Sequence, residues 1–236
     1  QLLTGGGGGA FGLHFWGKNL LNYKVAIWIQ AMRDQSQSLD INSLVLIVLA
    51  ILVALAARRL DGRLGWAALL FAVLSLAMPR HLGGGDYADL RLIGVALMMG
   101  CLAIDWQVPR WALWLAPALF LVRLEATTQA WRENSAKTAT MLTVLDHLPK
   151  GARVASAVAV DQAGWPLNRL EHIGTYAAGP RDALVNSHFA IPGIRMLSLR
   201  DATPGFADPS QRIFVAPGAR VDLAAFEPAQ EADYLW

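Results

Sequence analysis

The sequence predicts a membrane α-helical segment, of about four apolar helices plus an interfacial helix, followed by a small α/β periplasmic domain. Three observations lead there. Hydrophobic residues make up 55% of the chain and charged ones only 16%, against about 25% charge in ordinary soluble domains. The acidic residues are uneven, with seven up to Glu125 and eleven after it. All the long apolar runs fall in the first of these halves. The expected division is therefore 1–40, a glycine-rich loop and an amphipathic helix; 41–125, the transmembrane helices; and 126–236, the periplasmic domain, cut short at its C-terminus.

The opening "LLTGGGGGAFG" formally satisfies G-x-G-x-x-G at Gly7, Gly9 and Gly12. No strand precedes it and no acidic residue follows at the required distance, so it reads as a loop. From His14 to Arg33, Trp16, Leu20, Tyr23 and Ile27 recur at helical spacing, and so do Leu21, Val25, Trp28 and Met32. That wide apolar face, with tryptophans and a lysine-flanked polar edge, suits a helix lying in the membrane interface. Burial against other helices suits it equally.

The four apolar runs are Ile41 to Ala57, Leu64 to Met78, Leu92 to Ile104 and Trp111 to Val122. A spanning helix needs about 20 apolar residues, with roughly 17 as the lower limit. The first run meets this, the second does so by borrowing its flanks, and the last two are read as spans or as a re-entrant hairpin. Ala96, Gly100 and Ala103 offer a small-residue packing face. Trp106, Trp111 and Trp114 suit an interfacial belt. Arg123 and Glu125 read as the end of the fourth helix.

Arg58, Arg59 and Arg63 lie between the first two runs, and the positive-inside rule makes that loop cytoplasmic. Alternation then puts the loop from Pro79 to Arg91 on the outer face, together with everything after Glu125. The expected location is a bacterial inner membrane, crossed several times, with a periplasmic C-terminal domain.

After Ala126 the pattern becomes that of a soluble layer domain. "ATTQAWRENSAKTATMLTVLDHL" reads as a helix and "RVASAVAVD" as a buried parallel strand. "RLEHIGTYAAGPRDALVNSHF" reads as mostly helix, broken near Gly179 and Pro180. "IRMLSL", "RIFVAP" and "ADYLW" are further strand candidates, which suggests an α/β domain. The chain has no initiator Met, and it ends on what reads as a strand just begun; a fragment of a longer protein is expected.

Several function classes drop out. No Lys/Arg stripe supports nucleic-acid binding. Cys101 is the single cysteine, so neither a disulfide nor a cysteine metal site forms within the chain. No nucleophile-elbow sequence supports a serine hydrolase.

Chemistry concentrates in "MPRHLGGGDYADLRL", Met78 to Leu92. His81, Asp86, Asp89 and Arg91 are the candidate ligand-binding residues. Gly83 to Gly85 let the backbone approach a ligand closely. Arg91 at a helix start suits a lipid-linked phosphate. The plainer reading makes Asp89 a helix cap, Arg91 a snorkelling side chain and the glycines a turn. His172 and Arg181 are candidates in the second domain. No metal site is predicted; His81 and Asp86 lack a clear third ligand, although Glu171, His172 and His188 stand in the far domain.

Two stretches, "YADLRL" and "HIGTYAAGPRDALVNSHFAIPG" after a "LPKGARV" strand entry, together with "LD" before the first run, carry a resemblance. From about Tyr23 onward the chain resembles the C-terminal part of large proteobacterial multi-pass membrane proteins similar to GT-C-type glycosyltransferases. The resemblance implies transfer of a sugar from a polyprenyl-phosphate carrier on the outer membrane face. It also implies that the catalytic acid, and any acids binding a divalent metal, lie in an earlier external loop with no counterpart here. The competing expectation is a non-catalytic membrane subunit for polysaccharide export, assembly or transport.

Overall fold

The computed structural model describes residues 19–82, 86–107, 109–160, 164–168, 170, 172–187, 204–206, 213–214 and 222–236. The opening glycine run, His14, Trp16, Gly83 to Gly85, Glu171, His188 and "IRMLSL" lie outside them. The chain divides into two compact units, 1–128 and 129–236.

The first unit is helical. It contains α1 (Leu20–Ile29), α2 (Gln37–Ala56), α3 (Gly62–Ala77), α4 (Ala88–Leu102) and the start of α5 (Leu115–Leu142). Asp61 caps α3 by accepting the amides of Arg63 and Leu64 at 3.0 Å each. Pro79 follows the other end, and Met78 is already extended, with ψ 147°, as a residue before or near proline tends to be. α3 and α4 pack along each other as a hairpin. Its base is fastened by an antiparallel bridge between Leu60 and Ile104, with Asp61 N donating to Ala103 O at 2.7 Å and Asp105 N to Arg59 O at 2.8 Å.

α4 also meets α2, closely at one point. A Cβ on Gly100 would fall 2.7 Å from Ile51 Cδ1, so the tip of the Ile51 side chain lies directly over this glycine. Ala96 and Ala103 are likewise buried. Ile27 of α1, Leu44 of α2 and Ile93 and Leu97 of α4 form the apolar centre.

The predicted set of about four spanning helices is corrected. Among the described residues only α2, at 20 residues, is long and apolar enough to cross a membrane. α3 has 16 residues and α4 has 15, and α4 carries Asp89 and Arg91 in its first turn and a half. The fourth run joins the following segment as one 28-residue helix, α5, in which Arg123, Glu125, Arg132, Glu133 and Lys137 dilute the apolar stretch. Arg123 and Glu125 therefore sit inside a helix and do not end one. The interfacial helix is corrected too: α1 packs its Ile27 into the apolar centre and buries Lys24.

The second unit holds a three-stranded parallel sheet in the order β3-β1-β5, with β1 (Arg153–Ala155) central, β3 (Leu184–Val185) on one side and β5 (Tyr234–Leu235) on the other. β2 (Ala159–Val160) and β4 (Ile213–Phe214) form a separate parallel pair. The expected single strand "RVASAVAVD" is thus split between two sheets. The expected helix around Gly179 is reduced to a 3-10 turn, Ile173–Ala177, the four-residue α6 (Ala178–Arg181) and then β3. A last short helix, α7 (Glu227–Glu231), precedes β5. Leu145, Leu148, Val154, Ala177 and Val185 form the core. Beyond the β1–β3 ladder, buried Asn186 accepts Ser156 N at 2.9 Å and donates to Ser156 O at 3.0 Å, so an amide side chain continues the pairing.

Candidate functional site

The polar loop closes the end of the α3–α4 hairpin opposite the Leu60–Ile104 bridge, and a clamp holds it shut. Arg80 donates from Nε to Asp86 Oδ1 at 2.6 Å and from Nη2 to Asp86 Oδ2 at 2.8 Å. This two-pronged contact matches the fork of a guanidinium to a carboxylate. The Arg80 carbonyl accepts Ala88 N at 3.0 Å, and its guanidinium lies 4.3 Å from the centre of the Tyr87 ring. Tyr87 is the residue before α4 and adopts the left-handed conformation, φ 56°, uncommon for an aromatic side chain. Partial burial works to raise the Asp86 carboxyl, but the hydrogen bond and charge of Arg80 outweigh it and hold the group below its ordinary range. His81 Nδ1 stands 3.5 Å from the same Asp86 oxygen.

Asp89 points the other way. It is fully buried, and it does not occupy the cap position, which belongs to Tyr87. Its Oδ2 accepts Lys24 Nζ at 2.6 Å; its Oδ1 accepts Tyr23 Oη at 3.2 Å and Leu90 N at 2.9 Å. Lys24 spends its other two protons on Met78 O at 2.7 Å and Ser75 O at 2.9 Å, at the carbonyl end of α3. The cation thus satisfies carbonyls that the end of a helix leaves over, and the anion sits where the amides of the next helix begin. Burial, and then the charge of Asp89, push the Tyr23 phenol well above its ordinary range.

Of the four loop candidates, the structure brings His81 and Asp86 together, whereas Asp89 contacts Lys24 and Tyr23. Arg91 is exposed on the first turn of α4, and among the described residues its side chain has no hydrogen bond or ion pair. In the second unit, Arg181 donates to Asp146 Oδ1 at 3.1 Å at the surface. His172 is exposed and its carbonyl accepts Thr175 Oγ1 at 2.6 Å.

A second buried pair was invisible to sequence reasoning. Arg123 Nη2 contacts Asp40 Oδ1 at 2.9 Å and donates to Met32 O at 3.1 Å, while Asp40 Oδ2 accepts Asp34 N at 2.6 Å. Thr127 Oγ1 donates to Asp34. The only sequence signals for Lys24, Asp40 and Arg123 are charges placed within or beside apolar helices.

Both carboxylates of the loop are therefore engaged by cations, Asp86 by Arg80 and Asp89 by Lys24, while Arg91 is an exposed cation beside them. Among the described residues, no three His, Cys, Asp or Glu side chains gather as a metal site would need. The fold and site define a helical unit with a polar hairpin tip, and a separate small α/β unit. No protein-family model, curated protein or solved structure matches the chain.

Proposed function

We propose that this chain is part of a bacterial inner-membrane glycosyltransferase that moves a sugar from a polyprenyl-phosphate carrier, with the hairpin tip around Arg91 contacting the carrier phosphate. The observation that carries the membrane assignment is the exposed apolar surface of the first unit. Leu49 and Leu52 of α2, Trp66 and Leu70 of α3 and Phe120 of α5 are all at least half exposed. Water-soluble monomers rarely leave apolar patches of that kind open, whereas lipid covers them.

In this reading α2 crosses the bilayer and Arg58, Arg59 and Arg63 remain on the cytoplasmic side. The α3–α4 hairpin enters from that side. At 16 residues α3 is about 24 Å long, short of a hydrocarbon core about 30 Å thick. Its tip then lies in a recess below the periplasmic surface. A carrier phosphate drawn from the headgroup level into that recess would meet the free guanidinium of Arg91 beside the amide end of α4, which supplies charge and donors for it. The catalytic base lies outside the hairpin tip, since Asp86 and Asp89 are held by Arg80 and Lys24.

The test is polyprenyl-phosphate binding by the full protein, normalised for the amount in the membrane. Arg91→Ala should weaken binding by about 1.5–3 kcal/mol, the worth of a charge-assisted hydrogen bond. Arg91→Lys should retain part of it. Unchanged binding by Arg91→Ala would sink the phosphate contact. The engaged state of both loop carboxylates also favours a second reading, a non-catalytic subunit of polysaccharide export or assembly. Carrier binding with no sugar transfer by the full protein would select it.

A further inference from the structure

The half of the first unit nearest Arg58 contains an apolar groove of about 610 Å³ between α2, α3 and α4. Leu52 and Leu55 form one wall, Gly65 and Leu69 another, and Ala96 and Gly100 the floor. The volume falls in the range of small-ligand sites, roughly 300–1,000 Å³. Leu60, Asp61 and Gly62 line its end, so it opens beside the arginine-bearing turn. Arg58, Arg59 and Arg63 are exposed there, and their side chains make no ion pair or hydrogen bond among the described residues. The acidic neighbours in the chain are Asp61, occupied with two amides of α3, and Asp105.

A closed apolar cavity needs only an apolar occupant. None of the three arginines lines this groove, but they flank Leu60, Asp61 and Gly62 at its end in the chain and are exposed, so an apolar chain with an anionic head is the occupant that matches both the groove and the charge beside it. We infer that the groove holds one acyl chain of an anionic phospholipid, whose phosphate rests on Arg58, Arg59 and Arg63. The site is at the opposite end of the α3–α4 hairpin from Arg91, so it does not serve the carrier phosphate. It joins α2 to the hairpin through lipid, where the helices leave a gap. The inference rests on the membrane assignment above.

Gly65 provides a clean blocking variant. Gly65 lines the groove and a Cβ there meets no atom within 4 Å, so the backbone accepts a side chain and Gly65→Leu is expected to fill the groove. Leucine also favours helix over glycine, so lost lipid cannot be put down to an unfolded helix. The full protein would be extracted from membranes in mild detergent, and its retained phosphatidylglycerol and phosphatidylethanolamine measured by mass spectrometry. Rebinding would use vesicles of phosphatidylglycerol or of phosphatidylcholine. Wild type should retain the anionic lipid in about equimolar amount, and Gly65→Leu should lose it. Arg58→Gln, Arg59→Gln and Arg63→Gln should each weaken retention about fivefold, the effect of about one basic residue at an anionic membrane surface. Equal retention of both headgroups, or undiminished retention by Gly65→Leu in a membrane-inserted protein, would overturn the inference and leave the membrane assignment standing. So would a cross-link from this groove to another protein segment that excludes lipid. A protein that stays soluble without detergent would instead defeat the membrane assignment itself.

Discussion

Lys24 Nζ lies 2.6 Å from Asp89 Oδ2, between two helices whose sequences are 65 residues apart, with both side chains almost completely enclosed. Each charge is also matched to a helix end, the ammonium to the carbonyls of α3 and the carboxylate to the amides of α4. Removing one partner leaves the other buried and uncompensated. Lys24→Met or Asp89→Leu alone should therefore destabilise the first unit by about 3–5 kcal/mol. The double variant should cost clearly less than the sum, because no lone charge remains, although Ser75 O, Met78 O and Tyr23 Oη lose a partner. Denaturant unfolding of all four proteins measures the coupling. Strictly additive losses would show that the pair contributes no mutual stabilisation.

Arg123 ties α5 to the first turn of α2 and to Met32 just after α1. Its Nη2 reaches Asp40 Oδ1 at 2.9 Å and the Met32 carbonyl at 3.1 Å, and its Nη1 donates to the Leu39 carbonyl at 3.4 Å. Arg123→Ala should cost about 3 kcal/mol, since Asp40 is nearly fully buried and would lose its cationic partner. Arg123→Lys should recover only part, because one ammonium cannot reproduce the planar fork. Asp40→Asn should be milder than Arg123→Ala, since the amide oxygen still accepts Asp34 N. Near-equal melting temperatures for Arg123→Ala and wild type would contradict the tie.

Much of the helical layout was legible because apolar runs and helix stops are local. Asp61 before Gly62, and Pro79 after Met78, bracket α3 within a residue or two of the apolar run. The partners of buried charges were not legible. Lys24 looks like an edge residue of an amphipathic helix until Asp89 and the end of α3 are placed against it. The apolar runs suggest more crossings than the helices allow for a related reason. In the sequence their flanking residues lengthen each run, yet the Leu60–Ile104 bridge and the Arg80–Asp86 clamp end the hairpin on both sides. In the second unit, two-residue strands are too short to show a period. β3 therefore hid inside a segment with helical spacing.

The hairpin tip should loosen in acid. The folded Asp86 carboxyl is held below its ordinary value of 3.8. A group depressed in this way contributes stability above its unfolded value and loses it as pH falls through the folded one. Arg80 remains charged throughout that window, so the loss belongs to the carboxylate. Tyr87 N donates to Asp86 at 2.8 Å and Ala88 N to the Arg80 carbonyl at 3.0 Å. Hydrogen exchange at these two amides, corrected for intrinsic rates, should be slow above the ordinary carboxylate range and accelerate below it. In Asp86→Asn the acid-induced change should disappear. The same acid transition in that variant would assign it to another group.

Two glycines should respond differently to the same added methyl group. At Gly100 the nearest atom to a new Cβ is Ile51 Cδ1, the far end of a flexible side chain, at 2.7 Å. At Gly174 it is Ser156 Cβ at 2.5 Å, with Ser156 Oγ at 2.6 Å and Val185 Cγ1 at 3.1 Å. A Cβ cannot turn aside by changing rotamer, and Ser156 is fixed further by the Asn186 amide on both of its backbone groups. Gly100→Ala should therefore be relieved by an Ile51 rotamer change, helped by the better helix propensity of alanine. Gly174→Ala must move backbone and should cost at least the 1–3 kcal/mol typical of overpacking. Ile51→Val should offset Gly100→Ala, while trimming Val185 should not rescue Gly174→Ala, because Ser156 remains in the way. Thermal unfolding of the full protein, with near-ultraviolet circular dichroism to follow packing, distinguishes the two. Equal tolerance at both positions would mean that Ser156 and its Asn186 clamp yield more easily than their buried hydrogen bonds imply.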